Sequence, residues 1–185
     1  MSTRIYLPST GAAAVSPAYD TAWGTSAEAT RLAAVSAKIS SAMSNAAVTS
    51  NAAQAECVRQ YVSVPLAAQT ISGTVKSYAR ALCSSGDAVQ SRLSIRVSVN
   101  DGSSFRGTLL SMGSYGTGAD LNSSLRNISF ANGDALTSLA VSDGDRLVIE
   151  YGVDNTEGAG TANGTINFGD NIGTDLAENE TTTTA

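Results

Sequence analysis

Two stretches of this 185-residue chain hold acids whose type and spacing could do chemistry. Asp143 and Asp145 flank Gly144 in SLAVSDGDRLVIEYGV, residues 138–153, and Asp170 and Asp175 follow GTINFG with Asn171 between them. Loop carboxylates of this kind supply the oxygen ligands that calcium prefers. Neither stretch has the spacing of an EF-hand loop, and Asp-Gly is among the strongest turn dipeptides because it tolerates positive φ. A turn is therefore the preferred reading, with calcium at Asp143, Asp145, Asp170 and Asp175 as the alternative. Asp145 with Glu150 could also form the carboxylate pair of a glycosidase. Acids sit in so many turns that this pairing carries no specificity.

The rest of the catalytic repertoire is thin. The chain has no histidine, which removes the commonest general base, the commonest metal ligand and every Ser-His or Cys-His pair. Nothing resembles GxSxG, SxxK or a phosphate-cradling GxxxxGK[ST], and the Gly-rich GSYGTGAD at 113–120 has no lysine in place. No catalytic residue and no cofactor site are assigned, and a non-enzymatic protein is expected. Cys57 and Cys83 are the only cysteines, without a CxxC, and in a cytoplasmic product they read as buried thiols. Sugar stacking on exposed aromatics is the remaining chemistry, with Trp23, Tyr61, Tyr78, Tyr115 and Tyr151 as candidates. Tyr151 shares parity with Leu147 and Ile149 and reads as core; Tyr78, beside Lys76 and Arg80, is the best exposed candidate.

The elements that must position these residues are strands. Leu147, Ile149, Tyr151 and Val153 alternate with Val148, Glu150, Gly152 and Asp154, and in SRLSIRVSV Leu93, Ile95, Val97 and Val99 alternate with Arg92, Ser94, Arg96 and Ser98. A period of two marks a strand with one buried face. Val58, Val62, Val64 and Leu66 share a parity in VRQYVSVPL, and Ile71, Val75, Ala79 and Ala81 share one in QTISGTVKSYARAL. With SFRGTLLSM, RNISF and GTINFGD there are about eight strands, linked by Gly/Asn/Asp turns. That pattern predicts an all-β antiparallel sandwich, jelly-roll-like, with an extended N-terminal arm.

Four parts are expected. Residues 1–24 form the arm, with Pro8, Pro17 and Trp23, and with Ile5, Tyr6 and Leu7 available for packing. Residues 25–56, rich in Ala and Ser, form either a short helix or an extended segment. Thr25 to Glu28 could make a capping box, and Leu32, Val35, Ile39 and Met43 follow helical spacing, but Ser, Thr and Asn crowd the stretch. Residues 57–176 form the sandwich, and 177–185 an acidic, Thr-rich tail.

Hydrophobic residues make up 42% and charged residues only 15%, with 17 glycines. This composition suits tight turns and surfaces that pack on other subunits. The net charge of −5 argues against nucleic acid. Residues 1–133 hold ten of the eleven bases and six acids, whereas 134–185 hold one base, Arg146, and ten acids. That asymmetry reads either as a solvated acidic edge or as a seam that meets a neighbour's basic face. No segment is apolar enough for a signal peptide or a membrane span, so synthesis in a cytoplasm is expected. The LPSTG at 7–11 lies at the wrong end for a sortase signal, and the Asn-x-Ser/Thr sequons at Asn122, Asn127, Asn163 and Asn179 reflect composition.

RIYLPSTGAAAVSPAYD, VRQYVSVPLAAQTISGTVK, SFRGTLLS, DGDRLVIEYG and GTINFGDNIGTDLAENETTTT together give the chain a further character. It resembles, over nearly its whole length, a family of small proteins of tailed bacteriophages and prophages thought to be virion structural components. The resemblance implies a place in the virion and supplies no catalytic residues. Small β-sandwich decoration or cement proteins used as trimers or dimers set the expected role. The expected partners are the major capsid protein or other virion proteins, through Ile5, Tyr6, Leu7, Trp23 and Tyr78. The alternative is a tail or fibre module that binds a host glycan.

Overall fold

Alternation of apolar and polar residues in SRLSIRVSV and RLVIEYGV becomes two central strands of one sheet. In the computed structural model β6 (Val89–Ser98) and β9 (Arg146–Asn155) are antiparallel neighbours, with Leu93 opposite Tyr151 and Ile95 opposite Ile149. The structure describes residues 3–26, 31–42, 44–50, 54–83, 89–112, 121, 123–155, 162–169, 175–176 and 178. The remaining strands are β1 (Thr25–Ser26), β2 (Arg31–Ala33), β3 (Ser44–Ser50), β4 (Gln54–Val62), β5 (Gln69–Cys83), β7 (Phe105–Leu110), β8 (Arg126–Val141) and β10 (Ala162–Phe168).

Sheet one runs β1-β4-β9-β6-β7, with β2 also on β4, and sheet two runs β3-β10-β5-β8. If β3 to β10 are counted as the first to eighth strands, the orders are 2-7-4-5 and 1-8-3-6, the jelly-roll arrangement of two facing Greek keys. The all-β sandwich read from the sequence is therefore the fold. Phe168 of β10 spans the layers, its ring 5.5 Å from that of Tyr61 on β4 and 6.1 Å, edge-on, from that of Tyr151 on β9. Tyr61, Leu93, Leu109, Ile128 and Ile166 complete the buried centre.

Two expectations need correction. Among the described residues 25–56 hold no helix but β1, β2, β3 and the start of β4, so of the two readings of this segment the extended one holds, and both sheets begin before residue 57. Leu32, Val35 and Ile39 have helical spacing, yet β1 and β2 lie parallel along β4, and Leu32 is buried. Pairing along a sheet edge outweighs the weak propensity of an Ala/Ser sequence. The parity assigned to VRQYVSVPL also fails. A bulge between Cys57 and Arg59 shifts the register, so Tyr61 joins the core while Val64 lies beyond the strand, 61% exposed.

The two cysteines lie on different sheets, Cys57 on β4 and Cys83 on β5, neither in a disulfide and both fully buried. Burial pushes the Cys57 thiol well above its ordinary pKa, and its Sγ lies 3.7 Å from the Tyr151 carbonyl. Neither thiol should react with Ellman's reagent in the native state, and both should react after unfolding in denaturant. A rapid native reaction of either would contradict this packing.

Candidate functional site

The polar parity of the three central strands of sheet one sets the densest chemistry in the molecule. Gln60 of β4, Glu150 of β9 and Ser94 of β6 are direct cross-strand partners in one row, and Arg96 follows Ser94 by two residues on the same face. In the sequence this is the wet face. In the fold it is covered by residues 17–24 of the N-terminal segment, and Glu150 is completely buried.

Four donors from three parts of the chain hold the Glu150 carboxylate. Arg96 Nη2 donates at 2.8 Å, Gln60 Nε2 at 2.7 Å and Trp23 Nε1 at 2.8 Å, while the Asp20 amide lies 3.1 and 3.2 Å from the two oxygens. A buried carboxylate demands this degree of compensation, since an unpaired one would be very costly. Asp20 organises the covering turn. Its Oδ1 accepts the Ala22 amide at 3.1 Å, its carbonyl accepts the Trp23 amide at 3.2 Å, and its Oδ2 accepts the Ser94 hydroxyl at 2.8 Å. Trp23 then lies over Gly152, where a Cβ would stand 2.5–2.7 Å from the indole and run into the Glu56 carbonyl. Only glycine at 152 leaves room for that ring.

Two arginines tie down the rest of the passage. Arg96 donates to the Ala18 carbonyl at 2.8 Å and stacks 3.8 Å from the Phe105 ring. Arg31 donates to the Pro17 carbonyl at 3.0 Å and to Gln60 Oε1 at 2.7 Å, and lies 4.5 Å from the Tyr19 ring. Farther out, Ala12 bridges Leu32 and Tyr6 bridges Val35, both antiparallel, so the beginning of the segment lies along β2. The segment expected to reach a neighbour is docked on its own sandwich. Trp23 is buried, and Ile5, Tyr6 and Leu7 are half-buried, with Ile5 and Leu7 against the core.

The DGD motif is a turn. The Asp145 amide donates to the Ser142 carbonyl at 3.1 Å, with Gly144 at φ +91°, as a type II turn requires at its third position. Asp143 is exposed, whereas the buried Asp145 carboxylate is taken by Arg106 and by the Ser142 amide. Among the described residues no cluster of three or more Cys, Asp or Glu is placed to hold a metal ion. Asp170 and Asn171 lie outside the described residues, and Asp175 pairs with Arg4. Asp145 and Glu150 are not brought together as a catalytic pair. Five residues along an extended strand separate them by about 16 Å, beyond the span of paired glycosidase carboxylates. Of the sugar-stacking candidates Tyr61, Tyr151 and Trp23 are buried, Tyr115 is outside the described residues, and Tyr78 is half-buried.

The charge asymmetry of the sequence also resolves inside the molecule. Arg4 pairs with Asp175 and Glu178, Arg92 with Asp154, Arg96 with Glu150 and Arg106 with Asp145. Each joins a base of the first 133 residues to an acid of the last 52. The acidic seam meets a basic partner in its own chain. Arg106 holds the Asp145 carboxyl below the usual carboxylate range. A depressed folded pKa stabilises above the unfolded value of about 3.9 and is lost as pH falls through the folded one. Asp145→Asn should therefore cost more stability at pH 7 than at pH 3, measured by urea denaturation. An equal loss at both would contradict the assignment.

No protein-family model matches the chain, and no curated protein matches it in sequence.

Proposed function

We propose that the protein is a non-enzymatic structural component of a tailed-phage particle, a decoration or cement protein that binds a capsid through its sandwich surfaces. The observation that carries this reading is the use made of the buried and half-buried charge beneath residues 17–24. Glu150, Arg96, Asp20 and Arg31 are all engaged in fastening one part of the chain to another. An arrangement of that kind makes a rigid building block, and rigidity is what a lattice component needs. The resemblance to small tailed-phage proteins supports the location, and the low charge content supports large contacts with other subunits.

The docked N-terminal segment alters how such a block would work. Contacts with neighbours fall to the sheets and their exposed edges, while the segment completes the fold. The test is a parallel binding assay of the purified full chain on capsid shells of the encoding phage and on host cells. Saturable binding to shells, with a rise in the temperature at which they open, is expected. Binding to cells without binding to shells would overturn the reading in favour of a receptor-binding module.

A further inference from the structure

Cys57 is fully buried, yet it takes no part in the core between the sheets, to which Cys83 belongs. Its cross-strand partner is Gly152, and cross-strand partners share a side of the sheet. Gly152 follows Glu150 by two residues, so the thiol lies on the outer face of sheet one, beside the indole that covers Gly152. Two equally buried thiols are therefore sealed by different parts of the molecule. The sandwich closes over Cys83, and the N-terminal segment closes over Cys57.

The seal on Cys57 is built as a separate unit. Residues 14–23 lie in no strand, and side chains of Glu150, Arg96, Gln60, Ser94 and Arg31 hold them. Within 14–24 only Pro17 and Trp23 are buried, and no residue of 8–24 belongs to the core between the sheets. The face beneath carries Gln60, Ser94, Arg96 and Glu150, groups that water solvates well. Release of the segment wets that polar face and uncovers two apolar side chains, whereas opening the sandwich exposes the whole core. Parts with few buried apolar contacts open at lower free energy than core strands.

We propose that residues 14–24 act as a latch that opens while the sandwich stays folded, and that Cys57 is the thiol it guards. A group added to Cys57 in the open form holds the latch open. At the neighbouring Gly152 even a Cβ would stand 2.5–2.7 Å from the closed indole, so the seat has no space for an adduct. With iodoacetamide the open Cys57 loses its proton to water, its thiolate forms a C–S bond to the acetamide carbon, and iodide leaves.

The test treats the full chain with iodoacetamide without denaturant and follows each thiol by mass spectrometry. The closed form does not react, so each rate reports an opening. Cys57 should be alkylated at least about tenfold faster than Cys83, the mark of an opening of lower free energy. Ile128→Val removes one methylene from the buried centre; it should speed Cys83 by about two- to tenfold and leave Cys57 unchanged. Trp23→Phe should speed both, because the latch is released in either opening. Protein alkylated at Cys57 should keep a cooperative thermal transition and be cut by chymotrypsin after Tyr19. Alkylation of Cys57 no faster than that of Cys83, or equal acceleration of both by Ile128→Val, would overturn the proposal, since Cys57 would then be reached only through unfolding. So would an alkylated protein whose residues 17–24 resist the protease.

Discussion

Glu150→Ala should lower the free energy of unfolding by about 3–5 kcal/mol, the range for removing one partner of a buried ion pair. The cost comes from the groups left behind. Arg96 would keep its charge at 9% side-chain exposure with only Asp20, 3.6 Å away, as a carboxylate partner, and the donors on Gln60, Trp23 and Asp20 would lose their acceptor. For a domain of this size the melting temperature should fall by about 6–20 °C. Glu150→Gln should fall between wild type and alanine, since it keeps the shape and one acceptor. Calorimetry and urea denaturation check both variants. A loss below about 1 kcal/mol for alanine would mean that the carboxylate is solvated and the segment does not cover it.

Trp23→Ala should cost a similar amount, about 3–5 kcal/mol for a buried indole. Its second effect is local. Without the ring over Gly152 and the bond to Glu150, the passage 17–24 loses its deepest anchor. Chymotrypsin should then cleave after Tyr19 in the folded protein, at a rate far above wild type. Trp23→Phe should restore most of the protection and leave only the deficit of the lost Nε1–H. Because the two residues share a hydrogen bond, the double variant Trp23→Ala/Glu150→Ala should lose less than the sum of the single losses. Strict additivity would contradict their coupling.

What was legible in the sequence was what local chemistry decides. Asp-Gly fixes its own turn, and alternation in SRLSIRVSV and RLVIEYGV fixes strands with one apolar face. Eight such strands with tight links leave few topologies besides the sandwich that forms. Parity says which side chains share a face but not what covers that face. Gln60, Glu150, Ser94 and Arg96 have the composition of a wet surface, and only the return of residues 17–24 makes it an interior. No local pattern announces that return, because apart from Arg31, 14 residues from Pro17, its sheet anchors are 42 to 130 residues away in sequence. The bulge at Cys57/Arg59 was hidden for a related reason. It shifts the register by one residue, and a single inserted residue leaves no compositional trace.

The division of charge shows a signal that was present and pointed elsewhere. Bases early and acids late read as a solvated acidic edge or as a seam between subunits. Greek-key topology places early and late strands side by side, so the same complementarity closes within one chain. Arg92 and Asp154, 62 residues apart, meet across adjacent strands β6 and β9 at 2.7 Å. Trp23 was misplaced by the same reasoning. A lone tryptophan in an arm suggests a partner, and its partner is the chain's own Glu150.

The central claim is that the protein is a self-contained block whose N-terminal segment completes it. Hydrogen exchange on free and shell-bound protein, followed by mass spectrometry, tests it most directly. The account predicts that residues 17–24 are protected in the free protein and unchanged on shells. Residues 17–24 that exchange freely in solution and become protected only on the capsid would contradict it, and would return the segment to the role of a clamp on neighbouring subunits.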